Sequence, residues 1–409
     1  MSKPVPSVTG APQVTGSGRP QRSLHPRWRE LGTSVAAVFL ALFVGALLMV
    51  FSDPAVAAQF AYLFTAPALP LGAAWAKVAT AYSALFIGAV GSPAALVETA
   101  AQSAALICAG LGVGLGFRAG LFNIGAQGQA IWGATIAAWI GFSVQLPYGI
   151  HMIVAVLGGV LGGAIWGSIA GWLKAKAGAH EVIVTIMLNY IAAGLMAWLL
   201  TTSAFQRPGR TDPISPEVFP TAALPSLFFG RLHLGFLFAL MAAAGVWWLL
   251  ERSTIGFAIR AVGANPSAAA TAGMSVSRTT IITMTLAGAL AGLAGLMSTL
   301  APGSGFDPVP VPLTIGIVGT VGFDAITVAL LGRSRPLGTV FAGLLFGALH
   351  AGGLAMQALA KTPFTLTTVL QALIVLFVAA PALVNTLLPF LKPRKEAALT
   401  TVAAAGASK

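Results

Sequence analysis

Long apolar runs dominate this sequence and constrain it more than any other feature. Of its 409 residues, 57% are hydrophobic and only 8% are charged, whereas a soluble globular domain carries about 25% charged residues. Because so few charges cannot cover a water-exposed surface, most of the chain is expected to lie in lipid. A segment that crosses lipid must satisfy its own backbone hydrogen bonds, as a helix does. The sequence therefore predicts an all-α, polytopic membrane protein.

About ten runs are long enough to cross a bilayer, since a span takes roughly 17–25 mostly apolar residues. An eleventh stretch, 71–91, is ambiguous because Trp75, Lys77 and Tyr82 are typical of an interfacial helix rather than a full span. The ten predicted spans lie near 34–51, 98–117, 121–142, 149–173, 181–201, 232–250, 279–300, 312–331, 337–357 and 365–389.

The basic residues favour ten spans, because Lys and Arg are enriched in cytosolic loops. With ten spans and both termini cytosolic, all but five of the 22 Lys and Arg residues lie inside the cell. The five exceptions are Lys77, Arg207, Arg210, Arg231 and Lys361. Counting 71–91 as a further span would instead place outside the residues Lys174, Lys176, Arg252, Arg260 and Arg278.

The predicted spans divide the chain into a transmembrane domain and two tails. Residues 1–33 are basic and rich in Pro, Gly and Ser, so a disordered cytosolic tail is expected there. A secretory signal is the other interpretation, but the first apolar run lacks a small-residue cleavage site of the usual kind. The transmembrane domain, 34–391, carries an external loop at 202–231 and a cytosolic loop at 251–278. Residues 392–409 form a second cytosolic tail.

Several classes of function find no support in the residues. The net charge of +12 is spread singly over the ends of apolar runs and does not form a nucleic-acid patch. His151 and His350 lack Cys or acidic neighbours at metal-ligand spacing, so no metal site is predicted. No catalytic residue is assigned, because an enzyme acting on lipids would need a nucleophile, a metal or an acid pair at an interface.

Polar residues inside the spans are the candidates for function, because unpartnered polar groups are costly in lipid. Asn123, Gln127 and Gln129 open one span, and Asn189 lies on one helical face with Thr185. Such amides are expected to line a cavity, although each could equally cap a helix terminus. Asp324 is the deepest acid, with a functional role and helix-end capping both open. The candidate pathway residues are Asn123, Gln127, Gln129, Asn189 and Asp324.

The loop 256–274 predicts a short helix on the cytosolic side. Asn265 followed by Pro266 is a favourable N-cap and first helical residue, and Gly273 ends the Ala-rich turn. A short helix with small side chains can dock in a groove of another protein. An ordinary connecting helix fits the composition as well.

Three motifs resemble those of the branched-type permease family of ATP-binding cassette importers. The family patterns FNIG-x-E-G-Q, EVI-x-TIMLNY and G-x-x-x-RAVG-x-N-x-x-AA-x-x-AG match residues 122–129, 181–190 and 256–274. A fourth match covers 322–332 and 336–338. Within the family, the wording is most similar to permeases of nucleoside importers served by basic-membrane-protein-type lipoproteins. Position 127 is Gln where the family commonly has Glu, which puts any role of that carboxylate in doubt.

The resemblance implies a type II-like importer permease in the plasma (inner) membrane. It implies transport of a small polar solute, nucleosides first and simple sugars as the alternative. The implied partners are a cassette ATPase subunit, an external substrate-binding lipoprotein and a second homologous permease chain, which would make a heterodimer of permeases in membrane lipid. The residues implied to couple to the ATPase are Gly256, Arg260, Gly263, Asn265, Ala268, Ala269 and Gly273.

The energy source is expected to be ATP used by the partner, with no cofactor bound by this chain. The sequence has no G-x-x-x-x-G-K-[ST] phosphate loop and no Gly-Lys pair, so it carries no recognisable ATPase site. A stand-alone secondary transporter is the alternative class. Such proteins usually bury a series of acids along their path, and no such series occurs here.

Overall fold

The computed structural model describes residues 26–227, 231–303, 309–379 and 386, and is 75% helical with no strand in that part of the chain. The predicted all-α class is confirmed. A short 3₁₀ turn, Phe60–Tyr62, follows the second helix. The helices are α1 (Pro26–Ser52), α2 (Pro54–Gln59), α3 (Ala68–Val90), α4 (Pro93–Arg118), α5 (Ala126–Ser143), α6 (Ile150–Ala177), α7 (Glu181–Leu199), α8 (Leu234–Arg252), α9 (Thr254–Ala264), α10 (Pro266–Thr271), α11 (Val276–Leu300), α12 (Val321–Leu331), α13 (Pro336–Ala360) and α14 (Phe364–Ala379).

Seven of these helices, α3, α4, α6, α7, α8, α11 and α13, are long and apolar enough to cross a bilayer. An eighth candidate is α1 together with α2, which are bent by 77° at their junction. The exact number of spans, ten in the sequence-based count, therefore stays a prediction. The predicted tails 1–33 and 392–409 lie wholly or largely outside the described residues.

The helix α3 covers the ambiguous stretch and has the length of a span, but its contacts limit what it crosses. Lys77 pairs with Asp53 at 2.8 Å, and its Nζ donates to the Ala360 carbonyl at 3.2 Å. Arg118 donates to the Ser334 carbonyl, near the opposite end of α13. The chain from residue 77 to 118 therefore makes one net passage along α13. The helix α4 supplies 26 residues of that passage, and the interfacial assignment of 71–91 stays a prediction, since α3 also has the length and apolar composition of a span.

Two predicted spans are only partly helical. The predicted span 121–142 begins as a helix at Ala126, after the polar loop 121–125. The predicted span 312–331 is wrong in its first half, because α12 covers only its last 11 residues. The preceding backbone has positive φ at Gly316 (82°) and Gly319 (56°), a conformation that glycine adopts without strain. Irregular backbone at this depth is tolerated where protein surrounds it.

Close packing of α6 on α11 forms the centre of the bundle. A Cβ at Gly163 would overlap the backbone of Gly288 and Gly292, and a Cβ at Gly159 or Gly167 would also meet α11 or α5 backbone. Without a hydrophobic effect between helices in lipid, such contact lets van der Waals attraction hold them together. Tight packing through glycines at small-xxx-small spacing thus occurs within one chain.

The loop 202–231, which is predicted to be external, lies across the ends of α5 and α11. Phe219 N–H donates to the Gly141 carbonyl at 2.9 Å, and Leu224 N–H donates to the Leu300 carbonyl at 2.8 Å. These bonds satisfy carbonyls that the helix termini leave free. The segments α9 and α10 lie at the opposite end of the bundle, because Gly263 packs on the carbonyl of Arg118.

Candidate functional site

The amides of Asn123 and Gln129 form one buried pair before and within the first turn of α5. Both are 1% exposed. Asn123 Nδ2 donates to Gln129 Oε1 at 3.3 Å, while Asn123 Oδ1 accepts from the Gly125 N–H at 2.9 Å. The second bond is an Asx turn, which fixes the loop that leads into α5. These two amides therefore hold local backbone and each other.

Asn189 joins α7 to the same loop. Its Oδ1 accepts from the Gly128 N–H at 2.8 Å, and its Nδ2 donates to the Ile124 carbonyl at 3.0 Å. The first four N–H groups of a helix have no intrahelical acceptor. Asn189, from another helix, provides an acceptor for one of these groups in α5. The alternative of an amide that satisfies backbone is thus realised for Asn123 and Asn189, whereas the Gln129 side chain bonds only to the Asn123 side chain.

Gln127 connects α5 to the irregular backbone before α12. Its Nε2 donates to the Gly319 carbonyl at 2.7 Å, and its Oε1 accepts from the Gly322 N–H at 2.9 Å. The side chain is 8% exposed. One bond needs a donor and the other an acceptor. A neutral amide supplies both, whereas a carboxylate can only accept. The amide at position 127 therefore matches this local geometry.

A cavity of about 470 Å³ lies between α5, α7 and α12, and Gln127 and Asn189 reach its wall. Most of the remaining wall is aliphatic. Two aromatic rings also line it: Tyr190, which is 74% exposed, and Phe323, which is 47% exposed. The cavity combines flat aromatic and apolar surface with a few amides, as sites for small molecules generally do. We call it the amide cavity.

Asp324 lies in a different cavity, on the other side of the segment 315–324. This cavity, of about 550 Å³, is also lined by His350, Gln371 and Arg231. Thr320 donates to Asp324 at 2.8 Å, an i to i+4 bond at the start of α12. The Nε2 of Gln371 is buried without a hydrogen-bond partner among the described residues. The structure therefore brings together four of the five predicted pathway residues and separates Asp324 from them.

Sequence reasoning missed Tyr190 and Phe323 as cavity residues. Both stand inside recognised motifs, Tyr190 at the end of 181–190 and Phe323 beside Asp324, so their neighbours could have drawn attention to them. An exposed aromatic ring in a span is common at a lipid-facing surface, however. Only the packing of α5 against both α7 and α12 places the two rings around one space.

The predicted cytosolic helix is present as α10, preceded by α9. Asn265 Oδ1 accepts from the Ala268 N–H at 3.0 Å, Pro266 is the first helical residue, and Gly273 has a φ of 84°. The predicted boundaries are confirmed. Ala268 is exposed and Ala269 is 4% exposed, so α10 rests on one face and presents the other.

Two glycines of the predicted coupling set are required by close approach. A Cβ at Gly256 would overlap the Leu249 carbonyl in α8, and one at Gly263 would overlap the Arg118 carbonyl in α4. These contacts tie α9 to two long helices. Arg260, on the same short helix, has a buried Nη1 without a partner among the described residues. The segment α9–α10 is therefore attached rigidly to the bundle at one end.

Comparison with known proteins places these elements in a family. The sequence profile described as branched-chain amino acid transport system / permease component matches residues 95–379. The guanosine ABC transporter permease protein NupP of Bacillus subtilis is 38% identical over 78% of this chain and 90% of its own length. The nucleoside ABC transporter permease protein NupB of Lactococcus lactis is 34% identical over 78% and 88%.

A relative of different specificity is also similar. The glucose ABC transporter permease protein TsgB13 of Haloferax volcanii is 31% identical over 88% of this chain and 89% of its own length. No solved structure matches the chain. The matched residues include the loop at Asn123, Gln127 with its two backbone bonds, and the segment α9–α10.

Proposed function

Since this chain belongs to the branched-chain amino acid transport system permease component family, it is a permease subunit of an ATP-binding cassette transporter, and we propose that it imports nucleosides. It is a multi-pass protein of the inner membrane, and the site of ATP hydrolysis resides in another subunit. The transporter includes an ATPase and a substrate-binding partner. The observation that supports nucleosides most directly is the 38% identity to a guanosine permease over most of both chains.

The amide cavity supports the same solute class. A nucleobase presents a flat aromatic face, and stacking on an aromatic side chain contributes roughly 1–3 kcal/mol per base. Tyr190 and Phe323 offer such rings, and both line the cavity. Gln127 and Asn189 retain unused amide hydrogen-bonding capacity beside their backbone bonds. These groups can hydrogen-bond to base edges or ribose hydroxyls, while a simple sugar would leave much of the aliphatic wall without contact.

Simple sugars remain the second candidate because of the 31% identity to a glucose permease. Sugar rings also stack on aromatic side chains and hydrogen-bond to amides. The two solutes differ in the surface that they present to the cavity wall. A nucleoside places a planar base against the apolar wall, so loss of a ring should weaken transport of nucleosides more than transport of sugars.

In the proposed cycle the ATPase subunit acts on this chain through α9 and α10. The small side chains of α10 are exposed, and α9 is locked to α4 and α8 through Gly263 and Gly256. A displacement of α10 would therefore be transmitted through α9 to α4 and α8. We propose further that a second homologous permease chain completes the pathway and that an external lipoprotein delivers solute at the 202–231 loop. ATP is used by the partner, and this chain makes and breaks no covalent bond.

The decisive experiment is uptake by the reconstituted transporter with its ATPase, partner permease and binding protein. ATP-dependent accumulation of labelled guanosine, blocked by excess unlabelled nucleoside but not by glucose, is expected. Accumulation of glucose in preference to guanosine would overturn the nucleoside assignment. Accumulation without ATP would overturn the assignment to an ATP-driven importer and favour a secondary transporter.

The amide cavity is tested separately with Tyr190→Ala and Phe323→Ala. Each is expected to reduce guanosine uptake by at least tenfold, corresponding to about 1.4 kcal/mol of lost stacking, while the complex still assembles. Tyr148→Ala removes an equally exposed tyrosine from the turn before α6 and serves as the matched control. Normal uptake by both cavity variants would place the solute pathway elsewhere in the chain.

A further inference from the structure

Three arginines converge on a cavity of about 370 Å³ at the end of the bundle that carries α9 and α10. Arg118 ends α4, Arg260 lies on α9, and Arg335 precedes α13. One acid, Glu251, also lines this cavity. The site therefore carries an excess of positive charge. We call it the arginine cavity.

The arginines are poorly satisfied by the protein itself. None of the three forms an ion pair among the described residues, although five ion pairs form elsewhere in them. Nη1 of Arg260 is buried and has no hydrogen-bond partner there, and Arg118 uses its Nε on the Ser334 carbonyl. A buried guanidinium nitrogen without an acceptor is costly. The arrangement calls for an anionic acceptor from outside the chain.

The first turn of α13 reinforces the charge. Its N-cap, Arg335, makes no side-chain hydrogen bond to the helix, and Pro336 is the first helical residue. Backbone N–H groups of this turn therefore lack a side-chain cap, and the 25-residue helix directs the positive end of its dipole toward the cavity. Arginine forks combined with a helix N-terminus favour an anion with several oxygens, and phosphate in particular.

The wall beside the arginines is apolar and exposed. Trp247 and Leu337 line the cavity, and Leu337 and Phe341 are each 69% exposed on α13, one turn apart. A free phosphate has no apolar atoms to contact this surface, whereas the acyl chains of a phospholipid would cover it. Basic pockets between helices on the cytoplasmic side of a membrane bind anionic lipid headgroups in this manner.

We propose that the arginine cavity binds the headgroup of an anionic phospholipid, with its acyl chains along Trp247, Leu337 and Phe341. The phosphate bridges Arg260 on α9 to Arg118 and Arg335 on the long helices. Such a bridge fastens the segment α9–α10 to the bundle, in addition to the glycine contacts of Gly256 and Gly263. The lipid site goes beyond the proposed solute and does not depend on its identity.

Native mass spectrometry of the purified transporter tests the site, with phosphatidylglycerol as the probe lipid titrated against phosphatidylcholine. Arg335→Gln changes a side chain that forms no hydrogen bond or ion pair with the described residues and keeps the backbone bonds of Arg335, so it should leave folding intact. Its expected effect is about a fivefold loss of phosphatidylglycerol binding, the factor for one basic residue near an anionic surface. Arg118→Gln should add to this loss. Arg278→Gln removes an exposed arginine that lines a different cavity and should change nothing.

The remaining outcomes separate the possible sources of the anion. Equal phosphatidylglycerol binding by Arg335→Gln, Arg118→Gln and wild type would overturn the proposal. Displacement of bound phosphatidylglycerol by excess inorganic phosphate would also overturn it, because the apolar wall would then contribute nothing. Lipid binding by the permease chain alone, with none in the complete transporter that contains the ATPase subunit, would instead assign the arginines to acidic residues of that partner and overturn the lipid site. Retention of lipid in the complete transporter, with the Arg335→Gln defect, supports the lipid site.

Discussion

Gly322 donates its backbone N–H to the side-chain oxygen of Gln127 at 2.9 Å, and the two residues lie so close that a Cβ on Gly322 would overlap the Gln127 backbone. Nε2 of the same amide donates to the Gly319 carbonyl at 2.7 Å. Gly319 lies in the irregular backbone before α12, and Gly322 lies in the first turn of α12, so neither its N–H nor the Gly319 carbonyl has a partner within the helix. Gln127 provides both partners and fixes α12 against α5 between the two cavities.

Gly322→Ala should destabilise the protein. The added methyl group meets backbone atoms of α5 instead of a flexible side chain, so α12 must shift. Overpacking of this kind costs about 1–3 kcal/mol, and we expect a lower Tm for the detergent-solubilised chain. Gly194→Ala is the control, because nothing lies within 4 Å of the Cβ it would add on α7. Equal Tm values for the two variants would contradict the close contact.

Gln127→Glu introduces the residue that the family commonly has, yet we expect it to be harmful in this chain. The carboxylate can still accept from Gly322, but it cannot donate to the Gly319 carbonyl. Leaving a buried partner unsatisfied costs about 1–3 kcal/mol, which should appear as a lower Tm and weaker uptake. Gln357→Glu makes the same exchange on the exposed face of α13. A Gln127→Glu variant as stable as this control would show that the bond from Gln127 to the Gly319 carbonyl does not contribute to stability.

Asn189→Ala and Tyr190→Ala should separate structural from solute-facing roles at adjacent positions. Asn189 is 7% exposed and makes two bonds to the loop before α5 and its first turn, whereas Tyr190 is 74% exposed. We expect Asn189→Ala to lose about 1–3 kcal/mol of stability, with uptake reduced as a consequence. Tyr190→Ala should keep the wild-type Tm and lose guanosine uptake. Thermal unfolding measured beside uptake decides this, and an unchanged Tm for Asn189→Ala would contradict it.

His233, in the loop immediately before α8, should make stability depend on pH. Burial, and then the nearby charge of Arg231, lower the pKa of His233 from 6.5 to about 4. The folded protein thus binds fewer protons than the unfolded chain between these values. The contribution of His233 to the free energy of unfolding is therefore fully present above pH 6.5. It is lost as the pH falls toward 4, a decrease on the order of 3 kcal/mol in total.

The variant His233→Asn isolates that contribution. Nδ1 of His233 accepts from the Gly235 N–H at 3.1 Å, and an Asn oxygen can replace it as an N-cap. The variant should therefore keep its Tm at pH 7.5 and lose part of the decline in Tm between pH 6.5 and 4. Identical pH profiles for His233→Asn and wild type would exclude the assignment.

Cysteine labelling tests the predicted sidedness. Cys108 is the only cysteine and is buried, so Cys108→Ala should give an unreactive background at little cost. In that background a membrane-impermeant maleimide should label Arg210→Cys on intact cells, because the 202–231 loop is predicted to be external. Arg278→Cys should react only after lysis. The reverse pattern would invert the predicted topology.

Several features of this protein could be predicted from sequence because they depend on neighbouring residues. The membrane class follows from composition, and the boundaries of α10 follow from Asn265, Pro266 and Gly273, each acting within one turn. The glycine spacing on α6 and α11 is likewise local, because a helix brings every fourth residue to one face. The motif wording identified the family that the comparisons then showed.

Other features could be decided only by contacts between residues far apart in the chain. Gln127 lies 195 residues from Gly322, and Asn189 lies 61 residues from Gly128. Amides that were expected to face a pathway mostly satisfy backbone, because buried N–H and C=O groups must find partners wherever the fold leaves them. The half-length of α12, the separation of Asp324 from the amides and the meeting of three arginines have the same origin. Local composition and spacing determined that the chain crosses a membrane and where α10 begins and ends, because those features depend on residues within a few turns. Tertiary contacts alone decided which polar groups remain free to bind a ligand.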